Sequence, residues 1–159
     1  MKRSISRGII FAFSIVALVA LPIIGLLLLF VGAFAEALVV AMTAGYASAD
    51  GALIEIFVPF TLIIFITWPF LLAATIMGFI KKENKAFAIV AGSLYGACAI
   101  AMFAGVIMGF VVGSGLDGAE LTIFTSIVFG LSFILCACGA LFRGFLRLKQ
   151  NQSEVVENA

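Results

Sequence analysis

The sequence predicts an all-α integral membrane protein: a four-transmembrane-helix bundle built as two hairpins, with an N-in/C-in topology. Three observations predict it. Four long stretches carry no charge at all, 8–35, 56–80, 86–116 and 121–142. All nine Lys and Arg residues fall in three short clusters between and around them, Lys2/Arg3/Arg7, Lys81/Lys82/Lys85 and Arg143/Arg147/Lys149. Finally, 65% hydrophobic against 11% charged residues, with a mean hydropathy of +1.33, lies far from the roughly 25% charge of a water-soluble domain.

Each uncharged stretch exceeds the roughly 20 residues that a helix needs to cross about 30 Å of hydrocarbon. The stretches are apolar on every side, which is unlike the alternation of a barrel strand, so helices are the form that satisfies their backbone. Basic residues stay on the cytoplasmic side of a bilayer, and two hairpins that start and end there place all three clusters correctly. The other two connections carry Glu36, Asp50, Glu55, Asp117 and Glu120 and no basic residue. The expected organisation is one transmembrane domain, 1–149, with spans at about 8–35, 55–80, 86–113 and 121–142. A disordered cytoplasmic tail, 150–159, follows. The expected location is a bacterial cytoplasmic (inner) membrane.

The first span contains Pro22, which removes one helical hydrogen bond and marks a kink. Ala33-Phe34-Ala35 before Glu36 has the small-residue character of a signal cleavage site, but the apolar run before it exceeds the 7–15 residues of a signal core, so the reading is an uncleaved helix. Beyond Glu36, residues 37–42 are apolar enough to extend that helix. The second span carries Pro59, Trp68 and a second kink site, Pro69. A tryptophan this deep is expected to fill the kink and face protein, since its N–H prefers a polar partner.

The third span holds the strongest local signal. Ser93, Ala97, Ala101, Gly105, Gly109 and Gly113 recur every four residues, with Gly92 and Gly96 beside them. A ridge of small residues lets another helix approach closely, and close van der Waals packing is what joins helices in lipid. The fourth span has a second ridge, Ser132, Cys136, Ala140 and Gly144. Both ridges are expected to pack the chain's own bundle before any seam between copies. Asp50-Gly51-Ala52 followed by Ile56-Phe57 matches Asp117-Gly118-Ala119 followed by Ile123-Phe124. Helix capping at both sites accounts for the match as well as duplication does.

The chain lacks the residues that most membrane chemistry uses. It has no His, the commonest haem, zinc and proton-carrying ligand. No charged residue stands at the centre of any span, where ion and proton pathways place them. Cys98, Cys136 and Cys138 lie within spans, and two positions apart on a helix Cys136 and Cys138 point to different faces, so neither a disulfide nor a shared metal is expected. The outer carboxylates lack the spacing of a calcium loop. No cofactor, no metal and no catalysis are expected. The formal charge of +1 excludes a nucleic-acid partner of the usual electrostatic kind. The expected partners are the lipid bilayer and other integral membrane subunits or a second copy. The role expected is that of an accessory, assembly or structural subunit. The alternative is a small oligomeric passive channel or solute exporter lined by Ser, Thr and Gly faces.

Overall fold

The computed structural model describes residues 2–42, 52–79, 85–112 and 119–157, with side chains placed over 8–34, 37–38, 41–42, 56–78, 85–112 and 119–142. All of these residues are helical: α1 (Lys2–Met42), α2 (Ala52–Phe79), α3 (Lys85–Val112) and α4 (Ala119–Glu157). Within them Gly8–Phe34, Ile56–Gly78, Lys85–Val112 and Ala119–Phe142 are long and apolar enough to cross a membrane, at nearly the limits expected from charge alone.

Two helices exceed their apolar spans. α1 runs for 41 residues, roughly 60 Å at 1.5 Å per residue, and continues through Ala33-Phe34-Ala35 to Met42. α4 runs for 39 residues, with 150–157 included in the helix. Beyond Gly144 the segment carries no Gly or Pro and is rich in Leu, Arg, Lys, Gln and Glu, all good helix formers. Extending a helix that already exists avoids the unfavourable nucleation step that an isolated tail would face.

Consecutive helices are neighbours and antiparallel. α3 and α4 share the largest contact, α1–α2 and α2–α3 the next, α1–α4 a smaller one and α2–α4 the least. Gly92 lies against Ala137 and Leu141, Gly130 against Phe103, Gly105 against Ser126, and Gly109 against Ala119 and Ile123, so α3 and α4 stay together along their whole spans. Likewise Thr67 faces Cys98 and Phe60 faces Gly105 between α2 and α3. Ile10 lies on Gly139 between α1 and α4. The result is an up-down-up-down bundle. One end, called proximal below, holds the starts of α1 and α3 and the end of α2. The other, distal end faces the α1–α2 and α3–α4 connections.

The core is a stripe on each helix with a mixture of three- and four-residue steps. In α1 it is Ser14, Ala17, Leu21, Gly25, Leu28 and Gly32; in α4 it is Ala119, Thr122, Ser126, Gly130, Phe133, Cys136 and Ala140. That mean step of about 3.5 suits helices packed nearly antiparallel over a long distance, rather than crossing steeply at one point. The remaining faces are as apolar as the core. Phe30 is 72%, Ile100 74% and Phe124 67% exposed.

Candidate functional site

The ridge of α3 divides between two environments. Gly105 and Gly109 are buried, Ala101 is half-buried, and Ser93 and Ala97 are exposed; Gly113 lies outside the described residues. Over its described length the ridge is packed in one half and exposed in the other. A step of exactly four residues turns 400°, so the ridge advances about 40° per step, or about 160° from position 93 to 109. Its distal half faces the bundle and its proximal half has rotated away. At the packed half, a Cβ on Gly105 would stand 2.8 Å from Ser126 Oγ and 3.1 Å from the Phe60 ring, and one on Gly109 only 2.6 Å from Ile123 Cγ1. Gly96, beside the unpacked half, has open space where a Cβ would stand.

On α4, Cys136 and Ala140 are buried, and half-buried Ser132 donates its hydroxyl hydrogen bond to its own helix at Val128 O, 2.8 Å away. The side chain at Gly144 is outside the described set, as are Asp50, Asp117, the side chains of Glu36 and Glu55, and the two Asp-Gly-Ala segments. Of the two capping-box residues, Glu120 is described, exposed in the first turn of α4, where the positive end of the helix dipole favours it.

Most buried hydroxyls close on their own helix. Thr61, Thr67, Thr75 and Thr125 each donate to the carbonyl four residues back at 2.7–2.9 Å. This leaves no polar atom needing water. Ser126 departs from the pattern. It is fully buried, its Oγ has no hydrogen-bond partner, and it faces the Cα hydrogens of Gly105, a weak contact common where helices meet closely.

Besides Thr61 Oγ1 toward Gly25 O at 3.4 Å, three contacts among the described residues join helices through polar groups. Ser14 Oγ donates to Ile10 O at 2.8 Å, so the 2.6 Å contact with Tyr95 is donated by the phenol. Cys136 is also in hydrogen-bonding contact with Ser14, which makes Ser14 a node for α1, α3 and α4. The Cys98 thiol meets Thr67 O at 3.6 Å, between α3 and α2. The third contact involves both Pro22 and Trp68. Pro22 lies inside α1 and has no N–H, so the carbonyl four residues back, Leu18 O, loses its helical donor. Trp68 Nε1 donates to that carbonyl at 2.8 Å. Sequence reasoning placed Trp68 against a kink, and Leu18 O is the residue it missed; the proline offset pointed to that carbonyl, but its donor comes from another helix. Pro69 likewise sits within α2 without ending it.

Among the described residues no three His, Cys, Asp or Glu side chains gather, the three cysteines are free, and the buried hydroxyls are those of Ser, Thr and Tyr95. A shallow apolar groove of about 470 Å³ along the outward side of α1, lined by Ile15, Val16, Val19, Ala20, Ile23 and Ile24, offers a polar solute no contact. No protein-family model matches the chain, and no curated protein or solved structure is significantly similar to it.

Proposed function

We propose that the chain is a non-catalytic integral protein of a bacterial cytoplasmic membrane, with both termini inside, that serves as an accessory or assembly subunit by packing against helices of other membrane proteins. The observation that carries this reading is the uncovered proximal half of the α3 ridge. Ser93, Ala97 and Gly96 lie outside the bundle, and Ser93 has satisfied its hydroxyl at Ile89 O, 3.0 Å away. A face that is small and already hydrogen-bonded admits a partner's backbone closely at little desolvation cost. The orientation is supported by the helix order, which brings the segments bearing all nine basic residues toward the proximal end.

The channel reading has less support. Leu21, Phe60, Ile64, Leu71, Met102 and Phe133 are each no more than 1% exposed and fill the bundle axis, so a pore would have to form between copies. Purification in mild detergent tests the choice. A stoichiometric second membrane protein, lost on Ala97→Leu while the chain stays folded, is the expected result. A symmetric assembly of this chain alone would favour the channel instead.

A further inference from the structure

The proline breaks of α1 and α2 face each other. Antiparallel contacts set the register of this hairpin: Trp68 Nε1 on Leu18 O, Thr61 Oγ1 toward Gly25 O at 3.4 Å, and Phe57 on Gly32, where a Cβ would stand 2.6 Å from the ring. Pro22 frees the carbonyl of Leu18, and Pro69 frees that of Phe65. By the register, 18–22 in α1 lies level with 65–69 in α2. Each helix therefore lacks a backbone hydrogen bond in the same layer, and the tryptophan bond crosses between the helices there.

The parts on either side of this layer are held differently. Proximally, α1 is tied to α3 and α4 through Ser14, Tyr95 and Cys136 and through Ile10 on Gly139, while α2 is tied to α3 at Thr67 and Cys98. Distally, α1 rests on α2 at Gly25 and Gly32, with Thr61 and Ile64 against the first and Phe57 against the second. The distal part of α2 meets α3 where the flat Phe60 ring lies on Gly105, a surface without a side chain for the ring to catch on.

We infer that the α1–α2 hairpin is jointed at this layer: its distal half turns as one unit on the anchored proximal half, and the Trp68 bond to Leu18 O is the latch that holds it closed. Turning the unit carries the distal end of α1 away from that of α4. Two lost helical hydrogen bonds at one level lower the resistance to bending. The latch closes the gap because an unmet carbonyl in an apolar medium is costly. The device does not depend on whether the chain acts as an accessory subunit or forms a channel.

A paired test separates latch from bulk. Trp68→Phe keeps an aromatic ring and removes the N–H; Pro22→Ala restores a backbone N–H for Leu18 O. Trp68→Phe is expected to lower Tm by about 2–4 °C, the shift that about 1 kcal/mol gives a chain of this size. In the Pro22→Ala background the same change should cost almost nothing. Equal losses in both backgrounds would overturn the latch. For the joint, spin labels at Met42→Cys and Leu121→Cys, exposed at the distal ends of α1 and α4, are read in bilayer discs with exposed Cys138 replaced by Ala. Trp68→Phe should broaden their distance distribution toward longer values, and adding Pro22→Ala should narrow it again. One unchanged distribution in all three proteins would overturn the joint.

Discussion

At the scale of single residues, closeness of approach decides what a substitution does. Gly105 and Gly109 occupy points where even a methyl group would meet Ser126, Phe60 or Ile123 within 2.6–3.1 Å. Gly105→Leu or Gly109→Leu is expected to overpack the contact and cost about 1–3 kcal/mol, seen as a lower Tm in detergent. Ala97→Leu on the exposed part of the same ridge should leave the bundle's Tm unchanged. Equal melting of the three variants would show that the buried glycines set no packing distance. Ser126 makes the opposite prediction. Its oxygen is buried without a partner, so Ser126→Ala removes an unmet polar atom and should be neutral or slightly stabilising, whereas Thr61→Val loses bonds that are made.

At the scale of elements, α1 depends on side-chain bonds for its place. It makes its main contact with α2 and a smaller one with α4, and its backbone does not approach α3; the long Tyr95 side chain spans that diagonal to Ser14. Tyr95→Phe is expected to cost about 0.6–1.7 kcal/mol, the measured range for hydrogen bonds between helices in membranes. In a double-mutant cycle with Ser14→Ala the two losses should be clearly less than additive. Full additivity of the two changes would remove Ser14 as a node.

At the scale of the whole molecule, charge and helix order make one prediction together. A thiol introduced at Gly118 should react with a membrane-impermeant reagent from outside intact cells, and one at Asn84 should not, both in a Cys138→Ala background. The reverse pattern would invert the proposed orientation. The antiparallel order makes the two positions opposite ends of one bundle, so a single assay reads the sidedness of every connection.

Charge and hydropathy determined the number of helices and the limits of their apolar spans, because a run that is apolar on every side must bond its own backbone, though α1 and α4 continue as helix past the charges that end those spans. Pro22 likewise marked a break in the hydrogen bonding of α1, but not the group that would meet the freed carbonyl. The core faces were not legible, since exposed and buried sides are equally apolar and no periodicity separates them. The spacing-of-four ridge in α3 was visible, yet only packing against α4 decided that Gly105 and Gly109 are buried while Ser93 and Ala97 are not: the α3–α4 contact follows a step of about 3.5 and the ridge turns away from it. Pairings across the bundle, Trp68 with Leu18 and Ser14 with Tyr95 and Cys136, came from the tertiary structure alone. They depend on the register between helices, which loops and close glycine contacts set and which no segment of the chain encodes by itself.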